Sequence, residues 1–162
     1  PATGSDGSAH RLLRAVQDGQ DSEARWQMMM ASTEGAMAFV KGLGAVHAMS
    51  HAVGRIHELN LHHGTLNAVM LPAILRFNHG HVGTKYLRLK RAMGLSESAD
   101  LADFICDLNQ RLGLPANLKQ MGVCDAHVEG LAEHAMSDLN SMTNPRKVSP
   151  DEYQRLFIEV LG

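Results

Sequence analysis

The sequence predicts an all-α multi-helix bundle, and three observations predict it. Apolar residues recur every three or four positions along most of the 162-residue chain, the spacing of a helix with one buried face. No segment alternates apolar and polar residues in the manner of a half-buried strand. Aromatic residues make up 4% of the chain and there are 10 methionines, a balance of small and unbranched side chains that suits close helix–helix packing.

The elements follow in order. Residues 1–8, PATGSDGS, read as loop, and a short helix fits Ala9–Gln17, with Leu12, Leu13 and Val16 on one face. DGQDSE supplies a turn and an N-cap, Asp21 or Ser22, because a short oxygen-bearing side chain accepts from the first free backbone N–H groups of a helix. The second helix runs to about Val40, with Trp26, Met29, Met30, Met37 and Val40 at helical spacing. Its methionines read as core. KGLG, residues 41–44, breaks it. A third helix covers AVHAMSHAVGRIHEL, residues 45–59, and a loop follows around 60–63. GTLNAVMLPAILRFN is a fourth helix, apolar on most sides. Its Pro72 is expected to kink it or to lie near its start.

Residues 83–93 form a basic helix whose charges (Lys85, Arg88, Lys90, Arg91) face solvent, closed by Gly94. SESADLADFICDLNQRLGL opens on a cap at Ser96 or Ser98 and closes at Gly113. DAHVEGLAEHAMSDL is helical. The last helix starts after Ser149 as N-cap, with Pro150 in its first position and acids in its first turn. The total is about seven or eight helices, read as a single helical domain over residues 1–162.

Composition bounds the function. The formal charge of −2 gives no basic surface for nucleic acid or an anionic membrane. No apolar run reaches the length of a membrane span. Cys106 and Cys124 have neither CxxC spacing nor a disulfide framework. They read as small apolar fillers in a chain expected in the reducing cytoplasm.

The chemistry concentrates in AVHAMSHAVGRIHELNLHHG, residues 45–64, which holds His47, His51, His57, His62 and His63. His47 and His51 are four apart and share a helix face. That spacing places two imidazoles on one ion, or one on an ion and one beside a substrate. Gly54 continues the face and leaves room for a ligand or a neighbouring helix. His63 stands at a loop-to-helix junction, exposed yet anchored. Imidazole donors without carboxylates suit Zn, Fe, Ni or Cu, and two are too few to close a site. His10, His79, His81, His127 and His134 read as solvated surface residues. Asp6 and His10 share helical spacing but fall at the start of the chain.

FVKGLGAVHAMSHAVG followed by HHGTLNAVMLPAILRFN resembles the iron-containing (group III) alcohol dehydrogenase family. The hallmark is a glycine-rich lead into HxxxHxxG, then HGxxNAxxLP. LGLPANLKQMGV, LAEHAMSD and NPRKVS extend the resemblance to the end of the chain. In that family a Rossmann-like domain holds NAD or NADP and a C-terminal helical domain holds a divalent metal, Fe or Zn. The resemblance implies that this chain is most of the helical domain. The nucleotide-binding domain and an early Asp-x-x-x-His helix bearing two further ligands are then missing.

The resemblance also implies roles. His47 matches the first His of HxxxH, a metal ligand. His51 matches the second, which lies near the nicotinamide and takes part in proton transfer. The His of the HG pair is the last metal ligand; His63 matches, directly before Gly64, with His62 as the alternative. The sequence departs from the family at Ala52 and His62, where proline is usual, and His57 falls in a variable stretch within reach of the cleft. The implied reaction is hydride transfer between NAD(P) and a small alcohol or aldehyde, with a homodimer as a possible assembly. The isolated chain is expected to be inactive. Sister oxidoreductases, the glycerol dehydrogenases and maleylacetate reductases, are the alternative, and a non-enzymatic helical metal-binding module is a third reading.

Overall fold

The computed structural model describes residues 8–162; the Asp6–His10 spacing and most of the leading loop lie outside them. Eight α-helices occupy the described residues: α1 Ser8–Gln17, α2 Ser22–Ala38, α3 Ala45–Gly54, α4 His63–Asn78, α5 Lys85–Ala92, α6 Leu101–Arg111, α7 Val128–Ser137 and α8 Pro150–Leu161. No strand occurs among them, and the all-α expectation holds. No helix among them is long and apolar enough to cross a membrane.

The core lies where α3, α4, α7 and α8 meet. α3 packs on α4 and α7, α7 on α8, and α4 on α6 and α8. Met49, Val53, Leu66, Met70, Tyr153 and Phe157 are fully buried there. Ala45, Ala48, Ala52, Ala132 and Ala135 share this interior, and their small side chains let the helices approach closely.

Pro72 sits buried in the interior of α4 rather than near its start. A proline in mid-helix removes one N–H and orphans the carbonyl four residues back. That carbonyl, on Ala68, accepts from Asn109 Nδ2 of α6 at 2.7 Å. One helix thus satisfies the defect of its neighbour.

Four expectations need correcting. α3 stops at Gly54 rather than residue 59. Ile56, Leu59 and Leu61 pack against the core, which pulls the chain off the helix axis into a short 3₁₀ turn at His57–Leu59, ended by Asn60 in the left-handed region. The cap of α6 is Asp100, which accepts from Asp103 N at 2.9 Å; Ser96 and Ser98 instead bond each other in the preceding turn. The methionines of α2 are not core: Met29 is 67% exposed and Met37 75%, with Trp26 also open. Three consecutive methionines lie about 100° apart on a helix and cannot all face inward, and α2 packs chiefly on α1. Cys106 and Cys124 are free and exposed, not buried fillers.

Candidate functional site

α3 and α4 build the site between them. α3 begins at Gly44, whose φ of 77° suits a residue without a side chain. The first free N–H groups of α3 are met from the far end of the chain: Gly44 N–H donates to Thr143 Oγ1 at 3.3 Å and Ala45 N–H to Asn144 Oδ1 at 3.1 Å. One turn on, His47 projects half-buried, and His51 follows it on the same face, exposed. Their ring centroids are 5.8 Å apart. His63 opens α4, and its ring lies 5.2 Å from both. The structure therefore gathers His47, His51 and His63 into one triangle of imidazoles.

Asn67, one turn along α4 from His63, organises two of the rings. Its Nδ2 lies 3.0 Å from His63 Nδ1 and 3.4 Å from His47 Nε2. An amide NH₂ only donates, so both ring nitrogens accept, and their lone pairs meet on the Asn67 amide nitrogen. His63 Nε2 faces Ser50 Oγ at 3.4 Å. Asn67 Oδ1 is buried with no hydrogen-bond partner, an orphan of a kind that native structures seldom leave. Burial lowers the pKa of His47, and the neighbouring His63 and His51 lower it further. Burial likewise lowers that of His63, followed by His51 and His62. Both rings are thereby biased toward the neutral form that a metal requires.

His51 has a partner that the sequence reading missed. Its Nδ1 lies 2.9 Å from Asp138 Oδ2, across the junction between α7 and the 3₁₀ turn Leu139–Thr143. The other carboxylate oxygen accepts from both the backbone N–H and the Nδ2 of Asn140, at 2.8 Å each. Burial pushes the Asp138 carboxyl up, but the hydrogen bonds from His51 and Asn140 outweigh it and hold the group below its ordinary value. Phe39, 56% exposed, lays its ring edge-on to His47 at 6.2 Å.

The other candidates fall elsewhere. His62 is the N-cap of α4, its Nδ1 accepting from Thr65 N–H at 3.3 Å. The adjacent Gly64 makes room for it, since a Cβ there would sit 3.0 Å from His62 Cε1. Among the described residues His57 is not drawn into the group. A Cβ on Gly54 would meet nothing within 4 Å, so no neighbouring helix uses that gap. His127 is not simply solvated: its Nδ1 accepts from Cys124 N–H at 3.1 Å.

The donor set fits part of a metal site. His47 and His63 bring two imidazoles together, but no group of three or more His, Cys, Asp or Glu among the described residues is placed to hold an ion. Two imidazoles are half of a four-coordinate shell.

Known proteins share this sequence and this fold. Residues 9–161 match the model of the Fe-containing alcohol dehydrogenase family, C-terminal. A 4-hydroxybutyrate dehydrogenase of Cupriavidus necator is 47% identical over 153 residues, covering 90% of this chain and 40% of the relative. A 1,3-propanediol dehydrogenase of Citrobacter freundii is 35% identical over 158 residues, covering 92% and 40%. The crystal structure of a 1,3-propanediol oxidoreductase superposes with a TM-score of 0.86 at 32% identity, over 94% of this chain and 42% of that one. The chain thus spans about two fifths of the length of the curated relatives it matches. With its helical fold and histidine site, it belongs to the Fe-containing alcohol dehydrogenase family, as the C-terminal domain.

Proposed function

We propose that this domain supplies two metal-binding imidazoles and a proton-transfer residue to an NAD(P)-dependent dehydrogenase. The enzyme would interconvert a small alcohol and its aldehyde. The observation that carries the reading is the gathering of the His47, His51 and His63 rings, with centroids 5.2–5.8 Å apart, around Asn67, whose Nδ2 meets both His47 Nε2 and His63 Nδ1. The remaining ligands and the nucleotide site would come from a Rossmann-like domain joined to this one, a reading supported by the 40% share of its relatives that the chain covers. The names of those relatives support a short substrate oxygenated at its chain end, such as 4-hydroxybutyrate or 1,3-propanediol.

When bound, a divalent metal, Fe or Zn, would supply Lewis-acid polarisation of the substrate oxygen, and NAD or NADP would supply the hydride chemistry. The residues of this chain do the rest. His47 and His63 offer lone pairs, and partial burial together with the neighbouring histidines favours their neutral forms. His51 takes the hydroxyl proton when the alcohol is oxidised and returns it when the aldehyde is reduced.

Elemental analysis of the protein joined to its nucleotide-binding domain is the test. Near-stoichiometric Fe or Zn is expected, lost in His47→Ala and in His63→Ala and kept in His62→Ala. Metal kept in His63→Ala and lost in His62→Ala would move the ligand to His62. Full activity in metal-free protein would refute the reading.

A further inference from the structure

We propose that Asp138 is a positioning residue that fixes the orientation and tautomer of His51, leaving Nε2 as its proton-exchanging nitrogen. The inference rests on His51 as the proton-transfer residue. A carboxylate only accepts, so the 2.9 Å contact to Asp138 Oδ2 requires a proton on His51 Nδ1. Nε2 is then the nitrogen with a free lone pair. The His51 side chain is 42% exposed, and an exposed imidazole on a helix changes rotamer freely unless something holds it.

What holds it is itself held. Asp138 Oδ1 is gripped by the two donors of Asn140. The turn that Asp138 begins is pinned at two further points. Ser141 Oγ accepts from the hydroxyl of Tyr153, a fully buried residue of α8, at 2.8 Å. Thr143 and Asn144 bond the start of α3. His51 near the end of α3 and Gly44 before its start thus dock on the same short segment, residues 138–144, so the ring and its partner carboxylate share one rigid frame.

This geometry makes an unusual demand on the conservative variant. In Asp138→Asn the amide oxygen stays with the two donors of Asn140, and the NH₂ turns toward His51. A donor facing Nδ1 requires a lone pair there, so the ring proton moves to Nε2. The substitution inverts the tautomer while preserving size and fold. A role for Asp138 confined to holding its own turn predicts no such inversion.

Long-range ¹H–¹⁵N spectra of the metal-free 162-residue chain, labelled at histidine, read the tautomer directly. His51→Gln assigns the signal, and circular dichroism checks folding. Kinetics on the metal-loaded protein joined to its nucleotide-binding domain, with 1,3-propanediol and NAD or NADP, read the consequence. The expected result is an Nδ1–H ring in the wild type and an Nε2–H ring in Asp138→Asn. A fall in kcat of about 100-fold should accompany it, the low end of general acid–base catalysis, with KM within about twofold. Asn140→Ala, which frees Asp138 without removing its charge, should keep the Nδ1–H ring and lose less activity. The same tautomer in wild type and Asp138→Asn would overturn the proposal. An inverted tautomer with unchanged kcat would leave Asp138 as the positioning residue and overturn the proton-transfer role of His51.

Discussion

Replacing Asn144 with alanine should be among the most damaging changes a single polar residue of this domain allows. Asn144 and Asn78 are 8% and 6% exposed. The two amides bond each other reciprocally, at 2.7 and 3.1 Å. Asn144 Oδ1 also accepts from Ala45 N–H at 3.1 Å, and Nδ2 donates to the Arg146 carbonyl at 2.7 Å. The substitution removes all four bonds and leaves the buried Ala45 N–H and the Asn78 amide without partners. At about 1 kcal/mol net per bond, the loss is about 3–4 kcal/mol. A domain of this size has only about 5–15 kcal/mol in total, and at about 2–4 °C per kcal/mol the melting temperature falls by about 6–16 °C. Urea unfolding followed by far-UV circular dichroism measures this; Trp26, 54% exposed, is a poor fluorescence reporter of the core. Because two of the bonds are shared, the Asn78→Ala/Asn144→Ala double variant should cost clearly less than the sum of the single ones. A loss below about 1 kcal/mol for Asn144→Ala, or strict additivity of the pair, would refute the reasoning.

Asn109→Ala should cost about 1 kcal/mol by leaving the Ala68 carbonyl unmet, and the cost should shrink in a Pro72→Ala background, where the restored N–H serves that carbonyl; urea unfolding of the four proteins tests it. The lowered pKa values of His47 and His63 mean that the unfolded chain binds more protons than the folded one just below pH 6.5. Stability of the metal-free chain should therefore rise with pH through that window and level off above it, and His47→Gln/His63→Gln should flatten the rise in urea midpoints. His62→Ala should lose about 1 kcal/mol of helix capping without loss of metal, which thermal melts and elemental analysis report separately.

Much of the fold was legible because helical periodicity is a local property. The caps at Asp21 and Ser149 are equally local, and both side chains bond the backbone as expected. What covers a face is not local. The apolar residues of α2 announce a stripe, but nothing in their spacing says that it stays open in this chain. The end of α3 is hidden for a related reason: Ile56, Leu59 and Leu61 continue a helical rhythm, yet they reach the core by leaving the helix. Ser96, Ser98 and Asp100 are all good caps by composition, and only the path of the turn decides which oxygen meets Asp103 N–H.

The site divides in the same way. His47 and His51 were legible as a pair, since four residues make one helical turn. Asp138 was not, for it lies 87 residues from His51, and no local pattern marks an aspartate after a helix as the partner of a distant ring. The HHG stretch shows the finer limit. His63, directly before Gly64, is the ring that joins His47, but the glycine serves the other histidine. Without a Cβ at Gly64, His62 folds back over the start of α4 and caps it. That cap occupies His62 and leaves His63 as the ring at the head of α4 free to turn toward α3. The spacing of HHG thus assigns two tasks to two adjacent rings, and the division comes from the space that the glycine leaves empty.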